Sequence, residues 1–103
     1  MAVLTARYLL RVSNGTGRSS MARRFANYLR HQGLSVGEVA NARSFDYKRS
    51  ALYYNPDQSR VAARLASMLP FPVTLAEASR GKGRIEIILG TDTIDFDKGL
   101  QSR

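Results

Sequence analysis

The stretch that decides the fold is residues 5–33, TARYLLRVSNGTGRSSMARRFANYLRHQG. Its first eight residues alternate as a strand does, with Leu10 and Val12 pointing to the same side. From residue 19 to 32 the apolar side chains instead recur every three or four positions, which predicts an amphipathic helix. Gly33 is typical of the left-handed residue that ends a helix. The stretch therefore predicts a strand, a glycine-rich corner and a helix.

The rest of the chain shows the same two periods. Two-residue alternation and β-forming side chains predict four more strands, and a second helical pattern ends before a pair of prolines. The predicted strands cover residues 35–40, 50–54, 73–78 and 84–89, and the second helix covers residues 58–69. A turn rich in glycine and basic residues, SRGKG, separates the last two strands.

This order predicts an α+β protein. Two amphipathic helices each need one apolar sheet face to cover, so we expect a two-layer α/β sandwich in β-α-β-β-α-β-β order. A right-handed crossover through the first helix should make the first two strands parallel. We expect a ferredoxin-like mixed sheet with a split β-α-β arrangement, one extra strand and both helices on one face.

The chain length of 103 residues fits a single domain over residues 1–103. Residues 96–103 are polar and are expected to form a disordered tail. No apolar run approaches the ~18 residues of a membrane span, and the N-terminal apolar pieces are interrupted by Arg7 and Arg11, unlike a signal peptide. The sequence contains no cysteine, which excludes disulfides and thiolate metal sites.

Charge is the strongest feature of the composition. Sixteen Lys and Arg residues stand against eight Asp and Glu residues, which gives a formal net charge of +8. Such an excess favours polyanionic partners: nucleic acid, anionic lipid or an acidic envelope polymer. The arginines at 18, 23, 24 and 30 on the first helix and at 60 and 64 on the second could form one basic face, although a solvated helix face has the same pattern.

Catalytic chemistry is not indicated. The one histidine, His31, falls in the last turn of the first helix, where it favours the helix dipole without a catalytic role. The acidic residues have no metal-ligand spacing, and DTIDFD lacks the glycine turn and final glutamate of a calcium loop. No serine is joined to a recognisable base. We therefore expect no catalytic residue, metal, cofactor or enzyme activity.

The corner Asn14-Gly15-Thr16-Gly17 is the clearest motif. It lacks the Gly-Lys-Ser/Thr ending of a phosphate-binding P-loop, and its glycosylation triplet is short enough to arise by chance. Two interpretations stay open: a tight turn with Thr16 or Ser19 capping the helix, or a ligand-facing edge whose free N–H groups attract anions. The candidate ligand-binding residues are Asn14, Gly15, Thr16, Gly17, Arg18, Arg23 and Tyr54.

Together these segments resemble the C-terminal domain of LytR-type cell-envelope-related transcriptional attenuators. The similarity covers residues 6–95 and is carried by the NGTG corner, by Ala22 and Leu29, by Asn41-Ala42, by Ser50, Leu52 and Tyr54, and by Leu89, Gly90 and Asp92. Two positions depart from the family pattern: Ser19-Ser20 replaces a frequent Pro-Gly, and Ser50 replaces a threonine.

The resemblance implies a non-catalytic accessory domain of a bacterial cell-envelope protein, periplasmic or extracytoplasmic as part of a longer chain. With the basic charge, it predicts a binding or scaffolding module that contacts peptidoglycan or another anionic envelope polymer. Two alternatives remain. One is a nucleic-acid-binding domain of RRM-like element order, although GRIEIILG lacks the aromatic residues of that fold. The other is a protein–protein module that pairs through the third strand at Tyr53-Tyr54.

Overall fold

The computed structural model describes residues 8–78 and 83–102. The strands are β1 (Leu9–Asn14), β2 (Glu38–Asn41), β3 (Ala51–Tyr54), β4 (Thr74–Glu77) and β5 (Arg84–Leu89). The helices are α1 (Met21–His31), α2 (Ser59–Met68) and α3 (Ile94–Gln101), and short 3-10 turns at Pro56–Gln58 and Thr91–Thr93 lead into α2 and α3. The predicted start of the first strand at residues 5–7 and most of the predicted SRGKG turn, residues 79–82, lie outside the described residues.

The five strands form one mixed sheet in the order β2-β1-β5-β3-β4. β1 is parallel to both β2 and β5, while β3 is antiparallel to β5 and parallel to β4. The α+β class, the two-layer sandwich and the parallel first pair of strands are confirmed.

Two features of the sheet differ from the expectation. β1 and β2 are hydrogen-bonded neighbours, as are β3 and β4, so neither β-α-β unit is split. β5 takes the central position because five of its six residues are buried. β3 lies between β5 and β4, so both its edges are paired and the expected free edge at the third strand is wrong. The edge strands are β2 and β4.

The core lies between the sheet and the helices. Alternate residues of the central strands face α1 and α2, whose apolar stripes pack onto them and bury one continuous cluster. Its largest fully buried apolar side chains are Leu10, Val12, Met21, Leu29, Leu52, Leu65, Ile85, Ile87 and Leu89. The other face of the sheet carries Arg11, Ser13, Arg84 and Glu86, which lie outside the core that the three described helices cover.

The C-terminal segment corrects the predicted tail at residues 96–103. Residues Ile94–Gln101 form helix α3 instead. The ring of Phe96 lies 5.1 Å from Tyr28, 5.7 Å from Phe71 and 6.1 Å from Phe25 between centroids. Asp97 is 2% exposed. These contacts hold a segment whose composition alone is too polar to indicate packing, so the described residues form three helices rather than two, and α3 packs beside α1.

Among the described residues, no helix combines the length and the apolarity needed to cross a membrane.

Candidate functional site

The corner after β1 is closed by its own side chains. Asn14 is 4% exposed, and its Nδ2 donates to the carbonyl oxygen of Arg18 at 2.7 Å. Its Oδ1 accepts from both the N–H and the hydroxyl of Thr16, each at 2.9 Å. The Thr16 hydroxyl in turn accepts from the Arg18 N–H at 3.1 Å. The polar groups of Asn14 and Thr16 are thus engaged within the turn.

Glycine is required at this corner by packing. The Gly15 N–H donates to the Leu89 carbonyl at 2.9 Å, and the Gly15 carbonyl accepts from the Tyr47 N–H at 3.2 Å. A Cβ at Gly15 would lie 2.6 Å from the Leu89 oxygen and 2.8 Å from the Tyr47 ring. Gly17 has a φ of +82°, in the left-handed region that favours glycine. The corner therefore holds three chain segments together.

Helix α1 begins without the expected serine or threonine cap. Its N-cap residue is Ser20, in the left-handed region at φ +61°, and no side chain caps the helix. The expected caps, Thr16 and Ser19, are wrong: the N-cap position falls on Ser20, and the Thr16 hydroxyl is held inside the preceding turn. The first turn of α1 also contains no acidic residue. The positive end of the helix dipole is therefore not compensated by a carboxylate there.

Two arginines of the predicted basic face bind an acid of the protein itself. Asp97 accepts from Arg18 Nε at 3.0 Å and from Arg24 Nε and Nη2, each at 2.7 Å. Arg18 Nη2 also donates to Gln101 Oε1 at 2.6 Å. Burial raises the pKa of Asp97, but the hydrogen bonds and positive charges of Arg24 and Arg18 outweigh it, and the pKa lies below its ordinary value. Arg18 and Arg24 therefore anchor α3.

Arg23 is arranged differently from these neighbours. Its side chain is exposed, and within residues 8–78 and 83–102 it has no hydrogen-bond or ion-pair partner. It borders a polar cavity of about 260 Å³ beside the N-terminus of α1 and the carboxyl ends of β1 and β2. We call this cavity the carboxyl-edge groove; its lining is Asn14, Ser20, Ala22, Arg23, Val39, Ala40 and Asn41. The structure thus brings together two of the predicted site residues, Asn14 and Arg23.

Tyr54 lies away from this groove. It is on β3, which runs antiparallel to β5. The register places Tyr54 four residues along β3 from the position opposite Leu89, and Leu89 is in turn paired with Asn14 on β1. That offset is about 13 Å, with two strand spacings across the sheet in addition. Tyr54 packs against the hydrophobic core. The structure does not bring it together with the corner.

A second polar cavity, of about 200 Å³, was not found from the sequence. It opens on the helix-free face of the sheet, beneath the loop that leads from β2 to β3, and we call it the open-face pocket. Its lining is Arg11, Asn41, Ala42, Arg43, Tyr47, Arg84, Glu86 and Ile88. The sequence does show charged residues at alternate positions of β1 and β5. They indicate a shared pocket only once it is known that these two strands are neighbours in the sheet.

The side chains beside the open-face pocket form a loose ionic network. Ser13 Oγ donates to Glu86 Oε2 at 2.6 Å, and Arg11 Nε lies 3.4 Å from the same oxygen. Glu38 Oε1 is 3.4 Å from Arg84 Nη2 and 3.8 Å from Arg11 Nη1. Across the described part of the chain, no three His, Cys, Asp or Glu residues are grouped to hold a metal ion.

Comparison with known proteins agrees with this architecture. The soluble domain of a conserved hypothetical secreted protein from Mycobacterium marinum has a similar solved structure, with a TM-score of 0.70 and 22% sequence identity. The match covers 96% of this chain and 73% of that one, and shows a shared fold. No curated protein matches the chain. The family described as LytR cell envelope-related transcriptional attenuator matches residues 7–93. The chain therefore belongs to this cell-envelope-related family.

Proposed function

We propose that this chain is a non-catalytic accessory domain that binds an anionic polymer of the cell envelope, peptidoglycan, outside the cytoplasm. The observation that carries the proposal is Arg23, an exposed cation without a partner among the described residues, at the mouth of the carboxyl-edge groove. Membership of an envelope-related family and the fold shared with a secreted protein's soluble domain support the location.

The groove has the chemistry that an acidic glycan or peptide needs. The groove lies beside the first turn of α1, the positive end of the helix dipole, which contains no carboxylate to oppose an anion. Asn41 adds an exposed amide that can donate to and accept from hydroxyl or amide groups. The volume of about 260 Å³ is below the ~300 Å³ typical of pockets for complete small ligands, which suits one unit of a longer polymer.

The overall charge adds attraction at longer range. A net charge of +8 on 103 residues raises the local concentration of a polyanion at the surface of the domain. Since this attraction acts between exposed charges, binding should weaken as salt increases. The proposal therefore combines a general attraction by charge with a local contact at Arg23.

Arg23→Gln should reduce co-sedimentation of the protein with purified sacculi by about two- to fivefold at low salt, the effect of losing one exposed charge contact. Arg60→Gln is the matched control, because Arg60 is an exposed arginine that lines neither cavity. Circular dichroism would check that both variants are folded. Equal losses in the two variants would assign binding to net charge alone, and no retention of the wild type at low salt would refute the proposal.

Nucleic acid is the alternative polyanion. Among the strand residues on the helix-free face, Tyr53 is the one aromatic side chain, so the strands themselves offer no row of stacking platforms for bases. Sacculi and single-stranded DNA should therefore be compared at equal salt, and tighter binding to DNA would replace the proposed polymer.

A further inference from the structure

The open-face pocket carries guanidinium groups that the protein neutralises only in part. Three arginines line it, Arg11, Arg43 and Arg84, and its wall contains one carboxylate, that of Glu86. Arg43 is exposed and has no ion-pair or hydrogen-bond partner in the described ranges. With the neighbouring Glu38, the described residues place three cations and two carboxylates here, an excess of one positive charge among them.

The two ion pairs that Glu38 makes in this network are longer than good hydrogen bonds. The Arg84–Glu38 and Arg11–Glu38 separations of 3.4 Å and 3.8 Å exceed the 2.7–3.2 Å of an ordinary N–H···O bond. Two buried atoms, Arg84 Nε and Glu38 Oε1, have no hydrogen-bond partner among the described residues. Buried polar atoms in folded proteins are almost always paired, so this unpaired guanidinium nitrogen beside a cavity shows that the described residues neutralise Arg84 only in part.

The remaining lining selects among anions. The Glu86 carboxylate opposes a dense row of phosphates, which disfavours a nucleic-acid backbone. The half-buried ring of Tyr47 provides an apolar surface on which the face of a sugar ring can pack, and Asn41 provides an amide for its hydroxyl groups. An isolated carboxylate on a sugar or peptide unit fits this combination.

Asn41 lines both cavities. It is the last residue of β2, an edge strand, so a chain that passes over the carboxyl end of β2 would contact the groove and then the pocket. The geometry points to one extended binding site for an acidic glycan, in which the carboxyl-edge groove and the open-face pocket hold successive units of the same polymer. This inference rests on the proposed function and adds that the ligand must span at least two units.

The test compares soluble peptidoglycan fragments of one disaccharide-peptide unit with fragments of four or more units. The wild type should bind the longer fragment at least about tenfold more tightly, because the second contact becomes intramolecular. Arg43→Gln should remove most of this gain in affinity, as should Arg23→Gln, while Arg60→Gln should leave it unchanged. Arg43 is exposed and has no hydrogen-bond or ion-pair partner in the part of the chain that the structure describes, so the variant should keep the thermal unfolding of the wild type.

The outcomes separate the inference from the proposal beneath it. If the longer fragment binds with a gain that Arg23→Gln removes and Arg43→Gln does not, the extended site is refuted and the proposed function stands. Equal affinity of the wild type for both lengths would also refute the extended site. If the wild type binds neither fragment, the proposed function fails together with the inference. Binding of single-stranded DNA through Arg43, without binding of the glycan, would overturn the assignment of the ligand.

Discussion

Gly90→Ala should lower the free energy of unfolding by about 2–4 kcal/mol, through overpacking and the loss of buried hydrogen bonds. A Cβ at this position would lie 2.6 Å from the carbonyl carbon of Arg49 and 2.7 Å from its backbone nitrogen. Backbone atoms cannot rotate away as a side chain can, so the loop from β2 to β3 would have to lift. That movement would strain the bond from the Gly90 N–H to Ser50 Oγ, now 2.8 Å, and the bond from the Thr91 N–H to the Tyr47 carbonyl, now 2.9 Å.

Gly15→Ala should destabilise the protein for a related reason, because its Cβ would meet the Leu89 carbonyl and Tyr47. Gly99→Ala is the control. Gly99 lies within α3 with nothing within 4 Å of an added Cβ, so alanine should be neutral or stabilise by about 0.5–1 kcal/mol. Urea unfolding followed by circular dichroism measures all three variants. If Gly15→Ala unfolds as the wild type does and loses only binding to sacculi, the corner is itself a ligand site.

Asp97→Asn should have the second large effect, a loss of about 2–3 kcal/mol in unfolding free energy. Removing one partner of a buried ion pair costs about 3–5 kcal/mol, and we reduce this figure because the two arginines are partly exposed. The neutral amide would leave Arg18 and Arg24 without their carboxylate, and α3 should separate from α1 first. A matched control is Asp95→Asn, an exposed acid of the same helix.

The Asp97 carboxylate should also make the free energy of unfolding depend on pH in the acidic range. The pKa of Asp97 lies below its ordinary 3.8 in the folded protein, so the folded state favours the ionised form. Its contribution is therefore fully present above pH ~4 and is lost as the pH falls through the lowered pKa. Unfolding free energies at pH 6 and at pH 3 should differ less in Asp97→Asn than in the wild type. An equal difference in the two proteins would show that other acids control the acid sensitivity.

The local pattern was sufficient to predict most of the architecture. The change from two-residue to helical period at residues 12–19 predicted the first strand, corner and helix, and the connection through α1 required β1 and β2 to be parallel. The strand order was not accessible in this way, because the central place of β5 depends on contacts between segments more than 70 residues apart.

Helix α3 shows why a local pattern can mislead. Residues 91–97 contain three aspartates, and composition alone indicates a solvated segment. Asp97 is nevertheless buried, because its partners Arg18 and Arg24 lie 79 and 73 residues earlier in the chain. The same pairing explains why the basic face of α1 was overestimated: two of its four arginines neutralise an internal acid. This pairing can be recognised only when the relative positions of α1 and α3 are known.

The candidate site was predicted in part. Asn14 and Arg23 were named from the sequence and do border one groove, whereas Tyr54 lies on another part of the sheet. Arg43, Tyr47 and Arg84 were not named as site residues, since they come from a loop and from a strand whose neighbours were unknown. The pairing of strands that are distant in the sequence brings these residues together, and no local spacing in the sequence predicts that pairing.

The most direct measurement of the central claim is a titration of the 15N-labelled protein with soluble multi-unit peptidoglycan fragments, followed by amide chemical shifts. We expect the largest changes in the first turn of α1, at residues 21–24, and around Asn41, Arg43 and Tyr47, where the two cavities meet. The amides of Arg60 and Arg64 on α2 should hardly move. Changes centred on α2 or β4, or no changes at low salt, would contradict binding at the carboxyl end of β2.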